Sequence, residues 1–178
     1  MRSFVGISAQ SLHHFIANSE WSVEQLRSRR LKKIKQALKG NAITVVIDET
    51  RDRKKGKKTD YVARQYLWSI GKIDNGIVSV NAYGVYGQIT FPLIVKVFKP
   101  KGRLKSSDKY RTKIELATEI ITELIHEGFN IKLVLADSLY GKQVCRTEAS
   151  VSATLRESSQ FIGKIAEYKL DYVVAISL

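Results

Sequence analysis

The chain has little of what several common kinds of protein depend on. Its only cysteine, Cys145, excludes an internal disulfide and a zinc site built from several cysteines. No apolar run reaches the roughly 18 residues that a membrane-spanning helix needs, and the start, MRSFVGISAQ, lacks the apolar stretch of a secretory signal. These absences favour a soluble cytoplasmic protein without a membrane partner.

Signatures of nucleotide sites and of histidine-based sites are also lacking. The segment GKIDNG at 71–76 does not carry the lysine and serine or threonine that follow a P-loop glycine, and we interpret it as a turn. His13, His14 and His126 have no spacing that suggests a metal site or a catalytic triad. The candidate chemistry therefore rests on acidic and basic residues.

Length and charge narrow the class of protein. A chain of 178 residues, 44% of them hydrophobic, can bury roughly 70% of its unfolded surface and form one domain with a real core. Its 30 Lys and Arg exceed its 17 Asp and Glu, which gives a formal charge of +13. Such an excess favours a polyanionic partner, either nucleic acid or an anionic membrane surface.

The hydrophobic pattern predicts an ordered alternation of helices and strands. We expect four helices. They lie at 11–17, from Ser22, which forms a capping box with Gln25, to Gly40, at 111–127 and within 158–170. We expect strands at 42–47, 131–137 and 172–177, with a hairpin that turns at 86–88 between the first two. Pro92 in the second arm of that hairpin indicates an edge strand or a bulge.

This order of elements predicts a mixed α/β sheet with flanking helices. Three antiparallel strands lead through a right-handed crossover into further parallel strands, which is the arrangement of ribonuclease-H-like domains.

Two aspartates follow apolar strands of the predicted sheet. Asp48 comes directly after the strand at 42–47, and Asp137 ends the strand at 131–137. If these strands are parallel neighbours, both carboxylates project from the same edge of the sheet. Carboxylates, water and phosphate oxygens hold Mg²⁺ or Mn²⁺, and two such ions roughly 3.5–4 Å apart support phosphoryl transfer. The alternative is that each aspartate only caps a helix or begins a turn.

Basic residues crowd the first aspartate. The run from 51 to 58 is suited to holding a phosphate backbone near an acidic metal site, although a solvated loop is an equally open interpretation. Glu49, Asp52 and Asp60 compete with Asp48 for a metal or pair with these cations. The candidate DNA-binding residues are Arg51, Arg53, Lys54, Lys55, Lys57, Lys58, Arg64, Lys101, Arg103 and Lys105.

Several blocks in fixed order resemble a known family. They are FIANSEWSVEQLRSRRLKKI, VIDETRDRKKGKKTDYVARQY, GKIDNGIVSVNAYGV, FPLIVKVFKPKGRLK and KIELATEIITELIHEGFNIKLVLADSLYG, all within residues 11–141. Together they are similar to the DDE transposases of bacterial insertion sequences. The resemblance implies a ribonuclease-H-like fold that uses three acidic residues and Mg²⁺ to cut and join DNA. Asp48 matches the family's first carboxylate, and Asp137 matches the second.

The chain departs from the family in two respects. The family's third carboxylate is a glutamate on a helix beyond the strand that YVVAIS resembles, and no position before Leu178 can be assigned to it. Glu148 and Glu157 precede that strand in a stretch unlike the family's connection. Arg51 stands where the family usually has glycine, which is expected to stiffen the loop beside Asp48. We therefore expect a truncated transposase, with a helical segment at 1–40 and a partial catalytic domain, incomplete at its C-terminus, at 41–178.

The expected function is transposition, with transposon ends and target DNA as partners in the nucleoid. The isolated chain is predicted to bind DNA without cleaving or joining it, because one carboxylate is missing. One alternative is a non-catalytic DNA-binding fragment that modulates full-length transposase in homo-oligomers or mixed oligomers. The other is a host nuclease of the same fold.

Overall fold

The computed structural model describes residues 8–20, 22–56, 58–67, 70–137, 140 and 160–174. The chain divides into two compact units, Met1–Lys39 and Gly40–Leu178. That residues 41–178 act as a catalytic domain stays a prediction.

The first unit contains two helices, α1 (Ala9–Asn18) and α2 (Val23–Leu38). Ser22 caps α2, and its hydroxyl accepts a hydrogen bond from the Gln25 backbone N–H at 3.2 Å, as the sequence predicts. The helix ends where Lys39 adopts the left-handed conformation, φ 50°, immediately before Gly40. Helix α1 is longer than its predicted span of 11–17 and has no buried residue.

The second unit is built on one six-stranded sheet. Its strands are β1 (Ile43–Arg53), β2 (Ala63–Leu67), β3 (Lys72–Tyr86), β4 (Ile89–Val97), β5 (Ile131–Ala136) and β6 (Asp171–Val174). Strands β1, β2 and β4 are each antiparallel to β3, while β5 is parallel to β1 and β6 is parallel to β5. The path β4-β3-β1-β5-β6 is the ribonuclease-H-like order, which confirms the predicted mixed α/β fold.

Helix α3 (Lys113–His126) makes the crossover between the antiparallel and parallel parts. The Thr112 hydroxyl accepts from the Glu115 N–H at 3.2 Å, and the Glu115 carboxylate accepts from the Thr112 N–H at 2.7 Å. This capping box places the helix start two residues inside the predicted span of 111–127. Residues 160–167 are helical and precede β6. The last part of the strand predicted at 172–177 lies outside the described residues.

The core of this unit lies against the first half of β1 and against α3. Alternate side chains of β1, those of Ile43, Val45 and Ile47, are fully buried, as expected for a strand in the centre of a sheet. The apolar face of α3 adds a matching set of buried side chains, namely Ile114, Leu116, Ala117, Ile120, Ile121 and Leu124.

Three sequence predictions about the antiparallel part are wrong. Strand β1 does not end at Asp48 but continues to Arg53, because β3 pairs with it throughout. The segment at 71–76 is not a turn, since Lys72 begins β3 and pairs with β2. Strand β2 itself was not expected. All three errors have one cause: β3 begins within the segment expected to be a turn, and its N-terminal part pairs with β2 and with β1 beyond Asp48.

The predicted hairpin is confirmed. Strands β3 and β4 are joined by Gly87 and Gln88, with Gly87 at φ 58°, as two-residue hairpin turns require. The pairing register shifts near Pro92, whose strand pairs with β3 alone among the described strands. Gly84 is buried in β3, where a side chain would overlap the ring of Phe91.

Candidate active site

Asp48 and Asp137 come next to each other at one edge of the sheet. The parallel pairing of β1 with β5 ends at Ile47 opposite Ala136, and the two aspartates are the next residue of each strand. Neighbouring strands are about 4.8 Å apart, so continuing the register sets these residues side by side on one face. Both are exposed. We call Asp48 and Asp137 the carboxylate pair; that it is catalytic stays a prediction.

The other neighbour of Asp48 is a buried amide. Asp48 lies opposite Asn81 in the antiparallel register of β1 and β3. Asn81 is only 4% exposed, and its side-chain amide donates to the Thr50 hydroxyl at 2.7 Å. Thr50 is two residues beyond Asp48 and therefore on the same face of the strand. This hydrogen bond fixes the polar surface beside Asp48.

Glu49 points away from the carboxylate pair, because successive side chains of a strand alternate between faces. Its carboxylate is 10% exposed; the Arg51 guanidinium donates to one oxygen, and the Lys113 ammonium lies 2.7 Å from the other. Arg51 also donates to the Tyr66 carbonyl at 3.0 Å. Ion pairing, one of two roles open for Glu49 from sequence, is thus its observed role. Arg51 lies within β1 and stiffens no loop, contrary to expectation.

Tyr140 is a residue of this region that sequence reasoning missed. It is fully buried, its ring centroid lies 5.6 Å from that of Phe161, and its backbone N–H donates to the Asp137 carbonyl at 2.9 Å. Burial, together with the negative charges of Glu49, Asp48 and Asp137, raises the pKa of its hydroxyl well above the usual range. The only sequence signal was its position three residues after Asp137.

The carboxylate pair fits a divalent cation in its donor chemistry. Two exposed carboxylates at one sheet edge supply hard oxygen ligands, and Mg²⁺ takes one or two protein carboxylates together with water and phosphate oxygens. Within the described ranges, no group of three or more His, Cys, Asp or Glu side chains is placed to hold a metal ion. The described residues therefore offer two carboxylates here and no third His, Cys, Asp or Glu side chain beside them.

Three of the predicted DNA-binding residues line one groove. Lys58, Arg103 and Lys105 surround a cavity of about 570 Å³ together with Asp60 and Tyr61. The Lys105 ammonium lies 2.6 Å from the Asp60 carboxylate, and the hydrogen bond and charge of Asp60 raise the pKa of Lys105. We call this the basic groove. Asp60 is thus an ion-pair partner, which was one of the two roles open for it.

The wall of the basic groove is held by a second acidic residue. Tyr61, at φ 62°, donates to Asp108 at 3.3 Å, and the Lys99 ammonium lies 4.8 Å from the Tyr61 ring centroid. Asp108 also accepts from Lys99 and from the Lys105 backbone N–H. The hydrogen bond from Lys99 is the largest of the effects that lower the pKa of Asp108. This network fixes the loop that carries Lys105.

The remaining predicted DNA-binding residues are more dispersed. Arg53 pairs with Asp74 at 2.8 Å, and the Lys101 ammonium lies 4.9 Å from the ring centroid of Tyr110. Lys55 and Arg64 are exposed, while Lys54 is half-buried. Lys57 lies outside the described residues. Lys101 shares a 3₁₀ turn with Arg103 of the basic groove, and the role of all these residues in binding DNA stays a prediction.

Comparisons with known proteins place the chain in a family. No described helix is long and apolar enough to cross a membrane. A solved structure, the Drosophila P element transposase strand transfer complex, aligns with 96% of this chain and 35% of that chain at 11% identity and a TM-score of 0.43. A probable transposase for insertion sequence element IS701 from Microchaete diplosiphon is 50% identical over 167 residues. That alignment covers 94% of this chain, which spans 40% of the relative's length. The family model described as DDE superfamily endonuclease matches residues 4–148, and the chain therefore belongs to this metal-dependent family.

Proposed function

We propose that the chain is the part of an insertion-sequence transposase that supplies two carboxylates for metal-dependent cleavage and transfer of DNA strands. One observation carries the proposal: Asp48 and Asp137 directly follow the last paired residues of two adjacent parallel strands. The 50% identity to a probable transposase supports it.

Asp48 and Asp137 would hold Mg²⁺ or Mn²⁺. A bound ion of this type polarises the phosphodiester and favours the ionised form of the attacking hydroxyl or water. The chain's own residues orient the two ligands. Asn81 and Thr50 fix the surface beside Asp48. Glu49 projects from the opposite face of the strand, where Arg51 and Lys113 balance its charge.

The proposed substrate is DNA, in the form of transposon ends and target DNA. A formal charge of +13 favours a polyanion, and the basic groove gathers Lys58, Arg103 and Lys105 where a phosphate backbone can lie. We further propose a nucleoid-associated location in the cytoplasm. Assembly with a second copy, or with a full-length transposase, belongs to the same proposal.

The finding that the described residues place no third His, Cys, Asp or Glu side chain beside the pair favours a second candidate, a non-catalytic DNA-binding role for this chain alone. In that case the chain binds DNA without cutting it. The test is a nicking assay on supercoiled plasmid and on duplexes with the element's ends, in Mg²⁺ and in Mn²⁺. We expect no cleavage. Robust cleavage that Asp48→Ala and Asp137→Ala each abolish would establish the chain as an active nuclease instead.

A separate experiment tests the metal site itself. Mg²⁺ should raise the unfolding temperature of the wild-type chain in proportion to its binding, and Asp48→Asn and Asp137→Asn should remove this rise. Asp52→Asn is the matched control, because Asp52 is exposed on the same strand but lies beyond the edge where β5 ends. An undiminished response in Asp48→Asn would show that the carboxylate pair does not bind the ion.

A further inference from the structure

Asn81 is a buried polar residue whose side-chain amide has bonding capacity to spare. It is 4% exposed, and the single hydrogen bond of its side chain to a described residue runs from its nitrogen to the Thr50 hydroxyl at 2.7 Å. Its oxygen has two lone pairs and accepts no hydrogen bond from a described residue. The buried side-chain oxygens that lack a partner in the described part of the chain belong to Glu49 and Tyr140, so the Asn81 oxygen reaches solvent. The partner of that oxygen is therefore water or a bound ligand.

The register of the sheet sets Asn81 beside Asp48. The two residues lie opposite each other in the antiparallel pairing of β1 with β3, and such pairs have Cβ atoms about 4.5–5.5 Å apart on the same face. Asp137 lies on the other side of Asp48, because it follows Ala136, the last residue of β5 that pairs with β1. Asp137, Asp48 and Asn81 therefore form a row across three adjacent strands, with Asp48 in the middle.

This row carries negative charge that the described residues do not balance. Asp48 forms no ion pair with a Lys or Arg of the described ranges. The next carboxylate along β1, that of Glu49, pairs with both Arg51 and Lys113. An amide oxygen and a carboxylate both accept hydrogen bonds and neither donates one, so the Asn81 oxygen and Asp48 cannot bond to each other. A divalent cation can bind both, since carboxylate and carbonyl oxygens are the ligands that suit Mg²⁺ and Mn²⁺.

We propose that the amide oxygen of Asn81 is a third ligand of the metal site, on the side of Asp48 away from Asp137. The inference rests on the proposed function, because it takes the carboxylate pair as the metal site. The Thr50 hydroxyl holds the Asn81 nitrogen, which leaves the oxygen for the cation. If Asn81 only held Thr50 and the sheet together, Mg²⁺ affinity would not depend on it.

The first experiment measures Mg²⁺ affinity from the rise in unfolding temperature across a Mg²⁺ titration. Residues that only orient metal ligands change metal affinity by about 10-fold or more, so we expect at least this loss in Asn81→Leu, which has no side-chain oxygen. Asn81→Asp keeps an oxygen ligand and should bind Mg²⁺ at least as tightly as the wild type. Asn75→Leu is the matched control, because Asn75 is a half-buried asparagine of β3 that lies opposite Arg64 of β2. It should keep Mg²⁺ affinity within about twofold of the wild type.

The outcomes separate the inference from the proposed function. Mg²⁺ affinity within about twofold of the wild type in Asn81→Leu, with the response lost in Asp48→Asn, would overturn the role of Asn81 alone. Binding in Asn81→Asp as weak as in Asn81→Leu would overturn it as well. An unchanged response in Asp48→Asn would instead overturn the metal site.

A second experiment decides if Asn81→Leu fails to fold. Mn²⁺ is bound to wild-type protein labelled with ¹³C at the asparagine Cγ atoms, and electron–nuclear double resonance measures their coupling to the ion. A coordinated amide has its Cγ about 3 Å from the ion, given a metal–oxygen distance of about 2.1 Å and the length of the C=O bond. A strong ¹³C coupling that disappears in Asn81→Asp supports the inference. Bound Mn²⁺ without such a coupling overturns it, and a failure to bind Mn²⁺ overturns the metal site.

Discussion

Replacing Glu49 with glutamine removes one negative charge from a site that is 10% exposed and contacts two cations. Glutamine has nearly the same shape and can still accept a hydrogen bond from Arg51, so the substitution isolates the effect of charge. Breaking a buried ion pair at one partner costs about 3–5 kcal/mol. The side chains of Arg51 and Lys113 are 26% and 25% exposed and regain part of their hydration. We therefore expect a loss of about 1–3 kcal/mol in the free energy of unfolding.

Urea unfolding followed by far-ultraviolet circular dichroism measures this loss, with an unchanged slope indicating the same unfolding reaction. Asp52→Asn is the control, because Asp52 is exposed in the same strand and should change stability by no more than about 0.5 kcal/mol. A double-mutant cycle with Lys113→Met should give a coupling of about 0.5–3 kcal/mol. If Glu49→Gln matched Asp52→Asn, the Glu49 carboxylate would not be the centre of a stabilising ion-pair network.

Three further predictions concern the basic groove, the hairpin and the loss of folding stability at low pH. Lys105→Ala should lower the slope of log affinity for DNA against log salt concentration by about one, while the control Lys132→Ala, at the start of β5, should change affinity less. Equal effects of the two substitutions in a salt titration would show that the basic groove does not bind DNA. Gly84→Ala should lower the free energy of unfolding by about 1–3 kcal/mol, because the added methyl would lie 2.7 Å from Cζ of Phe91. Adding Phe91→Leu to the same chain should restore most of this loss. If the single variant is as stable as the wild type in urea, the overlap does not exist. The pKa of Asp108 is lowered from 3.8, so its contribution to stability is present above that value and is lost as the pH falls through the folded-state pKa. Asp108→Asn should therefore flatten the acid part of a profile of unfolding free energy against pH. An unaltered profile would show that Asp108 does not stabilise the fold.

The parts of the fold that sequence predicts well are those with a local cause. The β-branched run before Asp48 is apolar on both faces and gives the first half of β1. The helical spacing of apolar residues from Ile114 to Ile125 predicts α3, and the capping box of Thr112 and Glu115 sets its start two residues inside the predicted span. Asp137 could be placed at the end of β5 for the same reason, because the apolar residues before it are contiguous. The juxtaposition of the carboxylate pair followed from these two strands alone.

What the sequence did not predict depends on distant partners. Residues 48–53 are polar and would form a loop in isolation, but the first half of β3 pairs with them. The ion pair of Glu49 with Lys113 joins β1 to the start of α3, and no local pattern relates the two. No local pattern marks Tyr140, because only the tertiary structure brings its hydroxyl near three carboxylates. Side-chain networks of this kind require the folded topology before they can be inferred.

Strand β3 also sets the order in which the antiparallel part of the sheet can open. It pairs with β1 on one side and with β2 and β4 on the other, and Val78, Val80 and Ala82 in its centre are fully buried. Their amides cannot exchange with solvent deuterium until a neighbouring strand detaches, whereas those of β2 can exchange when only that short strand separates. Protection from exchange should therefore fall from the centre of β3 toward its partners. The segment of β1 that carries Asp48 is paired with β3 and separates only when β3 separates. The candidate site should therefore stay folded until the sheet itself unfolds.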